Sequence, residues 1–363
     1  MKTIIPLILL LTIFFFSCQP EAGEFVCTPC DLPCDTISFS QAGMCPHCGM
    51  ELIGKSELEA QKGLVPGEIN IETGSGAFLI KGGKGNESKL ITVYYHKPER
   101  YSPLSKVLLV VPGAGRDGDE YRDAWIEASE KHNVLVLSPA YPDSAYAFED
   151  YHMGGVMSDL NLESSVEYVE NTNVARLDEE KFTFKLRPDP EQWIFKDFDR
   201  IFELTVKALG SKQTTYDIFG HSAGGQILHR MTIFYPNTKA NRILASNSGF
   251  YTLPDVSKKL PFGLKNTGID GQDLSASFQK KLVLFIGELD NADETGGTLL
   301  RSESADQQGL HRLERGQYFY HTSQKTANEL NAEFNWTLEI VPGIGHDQRK
   351  MARAAARYLY EKN

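Results

Sequence analysis

Gly220-His221-Ser222-Ala223-Gly224-Gly225 stands between a short strand-like run, Tyr216–Phe219, and a segment with helical patterning that reaches Tyr235. A Gly-x-Ser-x-Gly motif at a strand-to-helix junction demands a tight turn. The serine takes a strained backbone there, and side chains two residues to either side would collide. Its hydroxyl then projects above a sheet, over the N-terminus of the following helix. In that setting Ser222 is a candidate nucleophile. Outside it, the same six residues are a plain glycine-rich turn.

The surrounding chain supplies such a sheet. Asn70–Ile80 and Lys89–His96 read as an antiparallel strand pair joined through Gly82-Gly83-Lys84-Gly85-Asn86. Lys106–Val111 (KVLLVV) is a continuous apolar run, as expected of a strand buried on both faces. Val134–Ser138, Arg242–Ser246, Lys281–Ile286 and Trp336–Val341 are further strands. Asp117-x-x-Glu120 resembles a capping box opening a helix over 119–132. Glu191–Leu209 has helical apolar spacing, and helices over about 320–334 and 347–361 close the chain. This alternation predicts an α/β fold: a mostly parallel sheet with helices on both faces, and sites at the strand C-termini.

A serine hydroxyl needs a base, and His346 lies in Gly343-Ile344-Gly345-His346, between the last strand and the last helix. His96 and His132 read as surface residues. His221 adjoins the serine, so its side chain points away and supports the turn. His152 sits in a long insertion, lining a pocket or exposed on a loop. The third group is a carboxylate that fixes the imidazole tautomer. Asp290 follows the Lys281–Ile286 strand in Gly287-Glu-Leu-Asp290, with Glu288 and Asp293 as alternatives. The order Ser222, Asp290, His346 differs from the two other well-known serine-triad orders. Two backbone N–H donors for an oxyanion come from Ala223 and from the loop Pro112-Gly113-Ala114-Gly115, where Ala114 is the choice and a plain turn the alternative.

With these pieces in hand, residues 69–363 resemble an α/β-hydrolase of the polyhydroxybutyrate depolymerase and feruloyl-esterase-like group. The matching segments are 112–125 (PGAGRDGDEYRDAW), 220–225 (GHSAGG), 287–290 (GELD) and 343–346 (GIGH). The resemblance implies a serine esterase acting through an acyl-enzyme on a small-molecule or polymer ester, with no catalytic cofactor. It leaves the substrate open, and a peptidase on the same fold remains an alternative. The segment 141–190 is where a substrate-covering insertion falls. Tyr141, Tyr146, Phe148 and Tyr151, with Trp193 beyond, either pack a ring-bearing acyl group or form the insertion's own core.

The N-terminus carries different chemistry. All six cysteines lie within the first 48 residues. Residues 1–18 (MKTIIPLILLLTIFFFSC) combine a charged start, an apolar run and a small residue before a cysteine, which makes a secretory signal. The Phe-Phe-Ser-Cys18 ending resembles a lipobox, which implies acylation of Cys18 and a lipid anchor. The alternatives are an ordinary signal peptide and a membrane-spanning anchor. Gln19, rather than Asp, points by the same resemblance to the outer membrane of a Gram-negative bacterium.

Cys27-x-x-Cys30 and Cys45-x-x-Cys48 form two knuckles within a module spanning 25–54, and 55–68 reads as a linker. Paired knuckles close a tetrahedral thiolate site, so Cys27, Cys30, Cys45 and Cys48 are candidate metal ligands with Cys34 spare or substituting. Disulfides are the alternative, though five cysteines leave one thiol over. Met44-Cys-Pro-His-Cys-Gly-Met50 resembles a small heavy-metal-binding module of metal efflux proteins, which implies structural Zn or Cu. A metal-handling lipoprotein with an inactive hydrolase domain is therefore a rival reading. With 37 Lys and Arg against 48 Asp and Glu, the net charge of −11 opposes non-specific nucleic-acid binding.

Overall fold

The structure is a computed structural model that describes residues 25–27, 33–41, 43–48, 52–55, 58 and 63–361. The chain divides into two compact units, Met1–Ala60 and Gln61–Asn363. Cys18 and Cys30 lie outside the described residues, as does the whole signal-like segment.

In the smaller unit, Phe25–Cys27 pairs antiparallel with Ser38–Phe39 on one side and Leu52–Gly54 on the other. A 3-10 turn, Pro33–Thr36, lies between the first two strands. Cys27, Cys34, Cys45 and Leu52 are its buried centre, with Phe25, Phe39 and Cys48 packed around them. So few apolar groups make a core in which sulfur, not hydrocarbon, occupies the middle.

The larger unit is built on an eight-stranded sheet. Its strands, numbered in chain order, are β1 (Gly74–Lys81), β2 (Leu90–Lys97), β3 (Lys106–Val111), β4 (Val134–Ala140), β5 (Tyr216–His221), β6 (Ala240–Ser246), β7 (Lys281–Gly287) and β8 (Thr337–Val341). The spatial order is β1-β2-β4-β3-β5-β6-β7-β8. β2 runs antiparallel to both β1 and β4. From β4 through β8 all pairings are parallel. The central strands β3, β5, β6 and β7 are buried almost end to end, and in β3 (KVLLVV) and β7 (KLVLFIG) that burial reads as a nearly continuous apolar run.

Helices cover both faces. On one face lie α1 (Gly118–Asp123), α2 (Ile126–His132) and α7 (Gln348–Tyr360), whose Tyr121, Trp125, Met351 and Leu359 pack on Leu108, Val110 and Phe219. The other face carries α3 (Phe195–Leu209), α4 (Ala223–Phe234), α5 (Gly271–Phe278) and α6 (Arg312–Glu329). α4 is buried on nearly all sides, and its polar His229, Arg230 and Thr232 are buried with hydrogen-bond partners.

Local expectations failed where tertiary packing intervened. The helix expected over 119–132 is two short helices, interrupted at Ala124–Trp125, where Trp125 turns inward to meet the Phe219 ring at 5.3 Å. Asp117 is the N-cap residue of α1, but its side chain makes no cap bond and lies over Gly115 instead. The helix expected from about 320 begins at Arg312, and the one expected from Glu191 begins at Phe195 after a 3-10 turn at Pro190–Gln192. His96 is buried rather than exposed, with Nδ1 at 2.8 Å from Ser75 Oγ and Nε2 at 2.9 Å from Glu130 Oε1.

The insertion forms a cap of small pairings. Val174–Leu177 pairs antiparallel with Val166–Tyr168 and parallel with Leu299–Arg301, which enters from the loop after β7. Tyr141, Tyr146 and Tyr151 are fully buried in the main core, so they stabilise the insertion rather than face a substrate. Arg116 joins the loop after β3 to them: Nη1 donates to the carbonyls of Tyr141 and Tyr146 at 2.9 and 2.6 Å.

Candidate active site

Ser222 is the N-cap residue of α4 and has φ 59° and ψ −115°, a conformation that non-glycine residues rarely hold. The neighbouring glycines have a steric reason. A side chain at Gly224 would collide with the carbonyl oxygen of Val111 at the end of β3, and a Cβ at Gly220 would come 2.5 Å from the Gly224 carbonyl. The turn therefore packs directly on the neighbouring strand, and Ser222 is held by backbone on two sides.

Asp290 and His346, which follow β7 and β8, meet at the same edge. Asp290 Oδ2 accepts from His346 Nδ1 at 2.8 Å and from Asn247 Nδ2 at 2.7 Å. Arg312 Nη1 donates to the other oxygen, Oδ1, at 3.0 Å. Burial pushes the Asp290 carboxyl up, but the His346 bond, the Arg312 charge and the Asn247 bond outweigh it and hold its pKa below the usual range. The alternatives are placed elsewhere: Glu288 accepts the Gly343 N–H at 2.9 Å, and Asp293 is exposed.

His221 is buried on the other side of His346, with ring centroids 4.6 Å apart. Its Nδ1 is 3.4 Å from Tyr121 Oη, and its Nε2 is buried without a hydrogen-bond partner. Burial, with the charges of His346 and Arg312 added, drives its pKa well down, so it stays neutral.

Ala114 and Ala223 both border the cavity into which Ser222 opens. Ala223 is the first residue of α4, where the backbone N–H has no intrahelical partner and the helix dipole is positive. A Cβ built on Gly113 would lie 3.6 Å from Ser222 Cβ, so the loop after β3 runs beside the serine. These placements bring both segments to the edge of the same space.

That cavity measures about 610 Å³. Phe148, Leu162, Val166, Leu177, Phe250 and Leu300 give it a mostly apolar wall, and no Lys or Arg lines it. His152 faces it, with its ring stacked on Phe148 at 4.1 Å. Dense surroundings, then the charges of Arg116 and Arg230, push the His152 pKa down to about 3, so it enters the cavity as a neutral imidazole. Arg230, itself fully buried, braces the wall from behind: Nη1 donates to the carbonyls of His152 and Gln226, and Nε to Thr252 Oγ1.

The sequence reading missed four residues of this site. Asn247 and Arg312 hold Asp290, and Glu294 accepts the His346 backbone N–H at 2.6 Å. Gly297 lies so close to His346 that a Cβ there would sit 2.6 Å from Nε2. None belongs to a local motif. Only Gly297, in the Thr295-Gly296-Gly297 stretch beyond Asp290, carried a visible signal in its glycine pair.

In the smaller unit, the sulfurs of Cys27, Cys34, Cys45 and Cys48 all lie within 4.8 Å of one another, and Cys27 Sγ is 3.2 Å from Cys48 Sγ. Cys34, read from the sequence as spare or substituting, is thus part of the cluster, while Cys30 lies outside the described residues. A tetrahedral zinc thiolate site, with Zn–S near 2.3 Å, has sulfurs about 3.8 Å apart, so this donor set fits such an ion with small adjustments.

No family model matches the chain, and no curated protein matches it. Among solved structures, it is similar to poly(aspartic acid) hydrolase-1 from Sphingomonas sp. KT-1, with 34% identity and a TM-score of 0.67, over 80% of this chain and 100% of that one. It is also similar to a poly(3-hydroxybutyrate) depolymerase from Bordetella parapertussis, with 26% identity and a TM-score of 0.66, over 80% of this chain and 90% of that one. With that sheet order, and with a relative of this identity matched over its whole length, the chain belongs to the α/β-hydrolase family.

Proposed function

We propose that the larger unit is a serine hydrolase that cleaves carboxylic esters through an acyl-enzyme. Ser222 attacks the acyl carbon, His346 takes the serine proton and returns it to the leaving alcohol, and Asp290 holds the imidazole with its proton on Nδ1. The N–H groups of Ala114 and Ala223 receive the oxyanion. The observation that carries this reading is the 2.8 Å bond between Asp290 and His346 at the strand edge where Ser222 occupies its strained turn. Labelling with a fluorophosphonate probe tests it: wild-type protein labels, and the Ser222→Ala variant does not. Absence of labelling on the folded wild type supports the rival, a metal-handling protein with an inactive hydrolase domain.

The cavity supports an uncharged, largely apolar acyl group. A polyanionic chain entering it meets Glu163 and no cation, whereas apolar groups replace water along most of the wall. The similarity to a poly(aspartic acid) hydrolase keeps amide cleavage as a second reading. Parallel assays on a neutral aryl ester, an anionic ester and an amide of the same acyl group separate these readings.

We also propose that Cys27, Cys34, Cys45 and Cys48 hold a structural Zn or Cu ion, and that Cys18 is acylated, anchoring the exported protein to a membrane, with the outer membrane favoured by Gln19. The size of the smaller unit supports the metal: its few apolar residues need an ion or disulfides to fold. The residues 1–18 pattern supports export and the anchor. Metal analysis together with thiol titration decides between ion and disulfides, and metabolic labelling with a fatty-acid analogue tests Cys18.

A further inference from the structure

The Asp290 carboxylate is committed on both oxygens. Oδ2 serves His346 and Asn247, and Oδ1 is held by Arg312. The Arg312 and Asp290 side chains are 2% and 1% exposed, so this ion pair is sealed from solvent. A carboxylate that orients a catalytic imidazole also stabilises the imidazolium that forms, and a guanidinium on the same carboxylate draws off part of that charge. Arg312 also occupies an unfavourable place for a cation. It is the first residue of α6, beside the positive end of the helix dipole. A buried arginine set against its own helix answers to a requirement other than helix stability.

A second bond shows what that requirement is. Arg312 Nη2 donates to the Thr298 carbonyl at 2.9 Å, and Thr298 borders the cavity at Ser222. The preceding residue, Gly297, leaves no spare room, since a Cβ there would lie 2.6 Å from His346 Nε2 and 3.3 Å from Arg312 Nη2. The following residues, Leu299–Arg301, pair with the insertion strand Val174–Leu177. One guanidinium therefore ties together the carboxylate, the segment packed on the imidazole and the cap over the cavity.

We propose that Arg312 is a positioning residue for hydrolysis. By filling Oδ1 it fixes the plane of the Asp290 carboxylate so that Oδ2 faces His346. By holding Thr298 it keeps residues 297–298 against the imidazole. This rests on the reading of Ser222, Asp290 and His346 as the catalytic group. The charged and titratable groups facing His346 come from four segments. Asp290 and Glu294 lie on the loop after β7, Arg312 begins α6, and His221 ends β5 and is neutral. Asp347, next in the chain, caps α7 by accepting the Lys350 N–H. Arg312 is the one permanent cation among them, so its removal leaves the protonated imidazole better stabilised.

The test is the pH profile of kcat and kcat/KM for Arg312→Gln and Arg312→Lys on a neutral aryl ester, with thermal melting as a check on folding. For Arg312→Gln we expect kcat to fall about 10- to 100-fold with KM little changed. Its acid limb should move up by about one pH unit. Arg312→Lys retains the charge but cannot serve Asp290 and Thr298 with one rigid fork, so its limb should stay in place while kcat still falls. If Arg312→Gln is folded and keeps the wild-type kcat and acid limb, Arg312 is only structural and the proposal fails. If Arg312→Gln does not fold, Arg312→Lys decides alone, and a wild-type kcat there overturns the proposal. Failure of the underlying triad reading shows separately, as activity that survives Ser222→Ala or His346→Ala.

Discussion

His221 and His346 lie ring against ring, with centroids 4.6 Å apart, yet only His346 has a carboxylate partner. His221 is sealed, neutral and unbonded at Nε2. The two imidazoles thus differ in environment, His346 paired with the Asp290 carboxylate and His221 buried without one. Replacing His221 by Leu removes a buried polar atom that has no partner, and the change in volume is small. Melting should show a loss of stability of no more than about 1.5 kcal/mol. Hydrolysis and the acid limb of the pH–rate profile should be retained; loss of hydrolysis in the folded variant would make His221 the base.

Ser222→Ala removes the proposed nucleophile while leaving the turn and the cavity. Because triad members act as a unit, turnover of a small aryl ester should drop by about 10⁴- to 10⁶-fold. Activity equal to the wild type in the purified variant would end the acyl-enzyme reading.

Asp290→Asn has two separable effects. It presents an amide to the imidazole, which favours the wrong tautomer and should cost about 10⁴ in kcat. It also strands the buried Arg312 charge, at about 3–5 kcal/mol of stability. The double change Asp290→Asn with Arg312→Met should therefore melt higher than Asp290→Asn alone and recover no activity.

The depressed pKa of Asp290 has a definite sign for stability. A carboxyl whose folded pKa lies below its unfolded value stabilises the fold above the unfolded pKa, near 3.9, and that contribution is lost as pH falls through the folded value. Denaturant titrations between neutral pH and pH 3 should show a shallower acid loss for Asp290→Asn than for the wild type. Parallel curves would mean that other carboxylates dominate acid unfolding.

If the cysteine cluster holds the proposed ion, chelation should strip and unfold it while ester hydrolysis continues nearly unchanged, because the proposed Ser222, Asp290 and His346 group needs no ion. Circular dichroism and activity recorded on one chelated sample check both halves. Loss of hydrolysis when a chain lacking residues 19–60 is chelated would mean that the larger unit depends on a metal.

The elements that the sequence determined are those with short-range causes. KVLLVV at 106–111 reads as a strand buried on both faces, and β3 occupies that span. The glycines around Ser222 announced a turn with no room for side chains, and the contacts of Gly224 with Val111 supply the reason. Strand ends also placed Asp290 and His346 at one edge, since parallel strands share a direction. Tertiary structure alone decided the rest. Arg312 reaches Asp290 because α6 packs beside the loop after β7, and no local pattern distinguishes that arginine from a surface one. Trp125 broke an expected helix because the Phe219 ring on the sheet offered it a better place. Tyr141, Tyr146 and Tyr151 of the insertion went to the core, and Phe148 and Tyr168 to the cavity wall, a division set by which residues the sheet could bury. Periodicity and turn chemistry act over a few residues, whereas these contacts join segments that meet only once the sheet is assembled.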